Sequence, residues 1–179
     1  MQAYVFPKQF SSDEVVTTKE GRTVTMKTYV DNGKIRTETS MNGMVMTSIV
    51  RTDQQKMYSV LASQKMVMVL PLDPEKIKQM LPPGSGGDAQ VEKVGSEPVD
   101  SIATDKYKIT NSDGKVLFLW VDAARQCPVK MASQDGAFTM TWKNFQTGPQ
   151  DAALFEPPAD YRMINMPQPA VAPPPGGGG

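Results

Sequence analysis

The chain has no histidine and one cysteine, Cys127, in 179 residues. Without an imidazole, the commonest general base and transition-metal ligand is missing. Neither a Ser-His-Asp nor a Cys-His nucleophilic site can be assembled. A single thiol excludes an intramolecular disulfide. Charge of one sign is lacking too: 19 basic residues face 19 acidic ones, so there is no electrostatic footprint for nucleic acid. No run is long and apolar enough to span a bilayer as a helix, and no secretory signal is visible. Gly84-Ser85-Gly86-Gly87 has no following lysine or helix start and is not a phosphate loop. Glu14, Glu38, Asp122 and Asp135 are too scattered for a catalytic carboxylate pair, and no clustered oxygen ligands have calcium-site spacing. These absences lead to the expectation of a noncatalytic protein with no metal and no cofactor.

What is present is a series of short strands and tight turns. Asn32-Gly33 and Asn42-Gly43 are strong two-residue hairpin signals. They separate strands expected at 22–31, 34–40 and 44–52, after a first strand at 13–19. Strands at 56–61 and 65–70 continue the meander. Asp73-Pro74-Glu75 then reads as a helix start, with Asp as N-cap and Pro at the first helical position. The helix is expected to run to Leu81 and end at Pro82-Pro83-Gly84, with Ser85-Gly86-Gly87-Asp88 as a flexible loop. Strands resume at 90–95, 103–110, 115–122, 128–133 and 137–146. A helical turn falls within 149–155, and a last strand at 161–166. The fold class is mainly β: a half-open antiparallel β-barrel of about 10–11 strands with one or two short covering helices. Residues 1–166 form one domain, and the Pro/Gly-rich segment 167–179 reads as a disordered tail.

Thirteen methionines stand out, because flexible thioethers suit surfaces that accept variable apolar shapes. Met44/Met46 and Met66/Met68 have strand spacing, so each pair shares a sheet face. Phe138, Met140 and Trp142 alternate in the same way. The strand at 116–121 is apolar on both sides: Val116, Phe118 and Trp120 point one way, Leu117, Leu119 and Val121 the other. Such a strand needs a core on one side and an apolar cover on the other. Ordinary core packing explains these residues as well as a ligand groove does. Arg36 reads either as solvent-facing and paired with Glu38 or Asp31, or as a contact for a ligand headgroup.

Several stretches resemble the bacterial outer-membrane lipoprotein carriers, the LolA/LolB-like proteins. They are Tyr29 to Arg36, Ile49 to Asp53 leading into Met57-Tyr58, Leu119 to Asp122, Pro128 to Met131, Asp135-Gly136, and Leu154 to Tyr161. The opening Phe10-Ser11-Ser12-Asp13 is similar to a less characterised exported branch. The likeness spans about residues 10–166. It implies an unclosed β-barrel whose apolar concave face receives acyl chains in the periplasm. The chain departs from the carriers at two places. Strand-like sequence stands where they have a long N-terminal helix. The uncharged Asn32 falls near the position of their lid-latching arginine.

The expected function is that of an exported, periplasmic protein that binds a lipid or lipoprotein acyl chain, with a lipoprotein anchor left open. The expected ligand-binding residues are Met26, Met44, Met46, Met66, Met68, Phe118, Trp120, Met140, Trp142 and Arg36. The alternative is a protein-interaction or envelope-sensing module of the same fold, with an envelope protein as partner.

Overall fold

A computed structural model describes residues 4–80 and 89–167. The helix stop at 81–84, the loop at 85–88 and the tail from 168 onward lie outside the described residues. Strands β1 (Gln9–Thr18), β2 (Thr23–Asp31), β3 (Lys34–Met41), β4 (Met44–Arg51), β5 (Lys56–Leu61) and β6 (Met66–Pro71) form a first meander. Helix α1 (Pro74–Met80) follows. A second meander comprises β7 (Gln90–Val99), β8 (Ile102–Thr110), β9 (Val116–Asp122), β10 (Pro128–Ser133) and β11 (Phe138–Thr147). A 3-10 turn at Ala152–Phe155 leads to β12 (Arg162–Asn165).

All the strands join one 12-stranded sheet in the order β12-β6-β5-β4-β3-β2-β1-β11-β10-β9-β8-β7. The sheet is open, with β12 and β7 as its edges. Pairing is antiparallel except where β12 runs parallel to β6. The two meanders meet where β1 pairs with β11, Glu14 lying opposite Trp142. Local chemistry sets the turns. Asn32-Gly33 and Asn42-Gly43 both take positive φ at each residue, the condition of the primed turns that match strand twist. Asp73 caps α1 by accepting the Lys76 N–H at 2.8 Å.

The sheet has twelve strands where about ten or eleven are expected, and two boundary regions extend further than composition suggests. Strand β1 begins at Gln9, four residues before the expected start, and β7 runs on to Val99. The β7–β8 turn is Asp100-Ser101, both at positive φ without a glycine.

Strand register sorts the side chains onto two faces. The inner face carries Phe10, Val30, Ile35, Val50, Leu119, Val121, Met131, Trp142 and Phe145 in one buried cluster. Helix α1 contributes Ile77 to it, and the segment before β1 contributes Tyr4 and Phe6. The outer face has a second core, in which Phe155, 1% exposed, packs on Ile49, Tyr58, Val60, Val67 and Val69. Fully burying such a side chain stabilises by about 1.5–3 kcal/mol.

Candidate binding face

Register carries a row of methionines along the inner face of the first meander. Met26 lies opposite Thr39, Thr39 opposite Met46, and Met41 opposite Met44. Val50, an inner-face residue, lies opposite Met57. Met57 lies opposite Leu70, and Ser59 opposite Met68. Met26, Met41, Met44, Met46, Met57, Met66 and Met68 therefore share one face. Toward the β3–β4 hairpin no described residue covers them: Met41, Met44 and Met46 are 48%, 67% and 53% exposed. Thr39 and Ser59 interrupt the row, so its exposed apolar surface is concentrated at the β3–β4 hairpin, where Val45 on the opposite face is also 57% exposed.

Across the β1–β11 seam the same face is filled. Trp142 and Met140 sit on it, and Phe6 packs on Trp142 with ring centroids 6.0 Å apart. Tyr4 packs on Tyr107 at 5.8 Å. Phe145 joins Trp142 on this face although it lies three positions further along the strand. A bulge at the β1–β11 pairing and the positive φ of Asn144 supply the extra residue. At the seam a carboxylate, Glu14, is buried. It accepts from Ser12 Oγ at 3.0 Å and from Trp142 Nε1 at 3.2 Å. Burial pushes its carboxyl above the ordinary range, and the donors Ser12, Thr28 and Trp142 oppose this.

The remaining expected site residues lie on the outer face. Leu119 pairs with Met131, which places Leu117, Leu119 and Val121 inward and turns Phe118 and Trp120 outward. Lysine side chains lie against both rings. Lys106 Nζ stands 4.8 Å from the Trp120 ring centre and 5.0 Å from that of Phe118, and Lys130 lies 5.0 Å from Trp120. Trp120 donates its indole N–H to Glu97, which also pairs with Lys106 at 3.0 Å. Alkyl stems and cationic heads thus shield the strand's second apolar side. Arg36 is also outward. It pairs with Glu38 at 2.8 Å and donates to the Leu154 carbonyl at 3.1 Å. Phe118, Trp120 and Arg36 are therefore separated from the methionine row by the sheet itself.

Sequence reasoning passed over Tyr4, Phe6 and Glu14 as site residues. The signal for the first two was an aromatic pair spaced by two, just ahead of the expected strand start. Cys127 is buried; burial raises its thiol above the ordinary value, opposed by Arg125. It lines a cleft of about 400 Å³ with Arg125, Phe145, Gln146 and Thr147. No described helix is long and apolar enough to cross a membrane.

The fold is shared with solved structures at low identity. An uncharacterized conserved protein from Thermus thermophilus superposes with a TM-score of 0.63 at 11% identity, covering 89% of this chain and 91% of that one. The Pseudomonas aeruginosa MucA/MucB complex contains a chain that matches with a TM-score of 0.51 at 15% identity, covering 88% of this chain and 58% of that one. This chain thus spans little more than half of that neighbour's length. No curated protein sequence matches. The family model described as a domain of unknown function, DUF4412, matches residues 14–126, from Glu14 at the seam through β9 to the loop beyond it. That is well over half of the chain, and the protein belongs to this family.

Proposed function

We propose that the protein is a noncatalytic binding module of the bacterial envelope, LolA-like in fold, that receives an apolar chain of a lipid or lipoprotein on its inner face. The observation that carries this reading is the methionine row of β2–β6, left open at Met41, Met44 and Met46. Each acyl methylene buried there contributes about 0.8 kcal/mol before association costs. Methionine adapts to a flexible chain better than branched side chains do. The resemblance of the sequence to periplasmic lipoprotein carriers supports the same compartment and ligand class.

The test combines native mass spectrometry of gently purified protein with titration of a fluorescent fatty acid. Co-purified lipid together with saturable probe uptake is expected. Absence of both ends the acyl-chain reading.

A second reading, a protein-interaction module, draws support from the MucA/MucB neighbour, which is solved as a complex. A pulldown from an envelope fraction, with and without residues 167–179, separates the two readings.

A further inference from the structure

The end of the sheet that carries the β3–β4 hairpin has apolar side chains on both faces and exposed cations on both flanks. The hairpin turns at Asn42-Gly43, and residues 39–50 hold no charged side chain. Register puts Met41, Met44 and Met46 on the inner face and Val45, opposite Ser40, on the outer one. All of them are exposed, Met44 at 67% and Val45 at 57%. The wall of a groove is apolar on one face only. An exposed apolar patch rimmed by polar groups marks an interaction site, and a tip apolar on both faces is buried only by something that surrounds it.

The neighbouring connections open on the same end. Thr25 lies opposite Ser40, so Arg22 stands level with Gly43. Lys19 belongs to the same β1–β2 turn, closed by the Thr18 N–H donating to the Arg22 carbonyl at 2.9 Å. On the other flank Thr47 lies opposite Val60, and Leu61 opposite Met66, which brings Lys65 to this end. Arg162, opposite Met66, gives its backbone N–H to the Lys65 carbonyl at 2.9 Å. Lys19, Arg22, Lys65 and Arg162 are all exposed, and none forms an ion pair among the described residues. Glu20 is the one carboxylate in the connections flanking the hairpin. Beyond the seam, Asp135 acts on Lys19, and Asp113 is paired with Lys115. In a chain of balanced charge, the surroundings of the hairpin are therefore cationic.

We propose that this end of the sheet docks on an anionic phospholipid bilayer, with the β3–β4 hairpin entering the acyl boundary and Lys19, Arg22, Lys65 and Arg162 meeting headgroup phosphates. Long alkyl stems let such cations sit at the headgroups while their stems lie in the apolar zone. Each cation near an anionic leaflet strengthens attachment about fivefold, and the inserted apolar area adds to it. A protein partner would need a socket that encloses the tip and is rimmed by carboxylates; a leaflet supplies both properties at once. The surface shares its methionines with the acyl-chain reading but does not rest on it, because Val45 and the cations lie outside the row.

The full chain is floated with vesicles of phosphatidylcholine containing about one-third phosphatidylglycerol, and with vesicles of phosphatidylcholine alone. Binding to the anionic vesicles is expected to be at least about tenfold the stronger and to weaken with added salt. Arg22→Glu/Lys65→Glu, at two exposed positions, is expected to reduce it about tenfold or more. Val45→Glu is expected to lose vesicle binding as well, yet to take up a soluble fluorescent fatty acid as the parent does, since Val45 faces away from the row. Equal binding to both vesicle types, or unchanged anionic binding by Val45→Glu, overturns the proposal.

A second measurement locates the hairpin directly. Val45→Trp is expected to be quenched by bromine-labelled acyl chains beyond the quenching of the parent, whose Trp120 and Trp142 lie in the second meander. No added quenching puts the hairpin outside the bilayer and overturns the proposal. A lipid-independent dimer that Val45→Glu dissolves assigns the tip to a second copy of the chain and overturns it too. Anionic-vesicle binding that persists without fatty-acid uptake supports the docking surface and removes only the acyl-chain reading.

Discussion

Trp142 donates its indole N–H to the carboxylate of Glu14 at 3.2 Å, across 128 residues of sequence. The bond spans the β1–β11 seam, the only place where the two meanders pair among the described residues. It also places a titratable group beneath Phe6, since Phe6 packs on the same indole. The seam is therefore sensitive to the charge state of one carboxyl.

Burial raises the Glu14 pKa, so between the ordinary carboxylate range and its raised value the native state binds more protons than the unfolded chain. The sign follows: stability falls as pH rises through that window, and the penalty is fully present above it. Glu14→Gln removes the charge while its amide oxygen still accepts from Ser12 and Trp142. The Thr28 hydroxyl, which both donates and accepts, serves the new amide. Denaturant melts at neutral pH are expected to show a gain beyond the roughly 0.5 kcal/mol of neutral substitutions, vanishing as pH falls into the ordinary carboxylate range. A loss of stability at neutral pH would mean that the carboxylate's hydrogen bonds outweigh its desolvation. On the acid side the trend reverses. The Gln150 N–H and Gln9 hold Asp31 below its usual range, and Arg51 does the same for Asp53. Their contributions are present above that range and lost as pH falls.

Arg51 fastens residues 152–156, the 3-10 turn that lies as a strap over the outer face. Its guanidinium, 8% exposed, grips Asp53 through two bonds of 2.8 and 2.9 Å. It also donates to the Phe155 carbonyl at 3.3 Å and pairs with Glu156. Asp53 and Glu156 are themselves well exposed, so solvent screens much of the Coulomb attraction. The hydrogen bonds to the strap are the larger part. Arg51→Met is expected to destabilise by about 2 kcal/mol, with faster amide exchange at residues 152–156. Arg51→Lys recovers only a fraction, because an ammonium cannot reproduce the fork. Equal exchange in all three proteins would show that Phe155 alone holds the strap.

Much of the inner face was legible because it depends on local rules. The Asn-Gly turns fix short hairpins, and alternation then aligns Met26, Met44, Met46, Met66 and Met68 on one side. The relation of Phe118 and Trp120 to that row was not legible. Their side depends on how β9 registers against β10 and on how β11 meets β1, and both pairings contain a register shift. One extra residue in a strand reverses every later side chain. The strap was legible as a helical turn in sequence but not in place. It returns from the end of β11 to the outer face of β3 and β4, and β12 pairs with the far edge at β6. No local pattern encodes a connection across that many strands. Glu14 reads as an ordinary exposed strand position until Trp142 is brought against it.

The two hairpin glycines are expected to respond differently to alanine. Gly33 has φ +88° and Gly43 has φ +77°, so both substitutions place a side chain in the left-handed region at a cost of about 1 kcal/mol. At Gly33 an added Cβ would also stand 2.5 Å from Thr52 Oγ1, whereas at Gly43 it meets nothing within 4 Å. Thermal melts should therefore rank Gly33→Ala below Gly43→Ala. The double variant Gly33→Ala/Thr52→Ala should return to about the Gly43→Ala level. Equal melting points for the two single variants would show that the β4–β5 turn yields without penalty.

The open end of the methionine row provides the sharpest separation of binding from folding. Met44 and Met46 are more than half exposed, so replacing them disturbs little packing, and the expected stability change is within about 0.5 kcal/mol. A carboxylate in the same place is a different matter for a ligand. Met46→Glu asks an acyl chain to desolvate a charge as it docks, which costs several kcal/mol unless the chain avoids the site. Fatty-acid titrations are expected to show a loss of tenfold or more for Met44→Glu and Met46→Glu. Met46→Leu should bind nearly as well as the parent, since apolar area is retained. Lys130→Glu, on the outer face beside Trp120, introduces a carboxylate away from the row and should leave uptake unchanged. If the outer-face variant loses uptake while Met44→Glu and Met46→Glu keep it, the ligand lies over β9 and β10, and the methionines are only a loosely packed edge of the core.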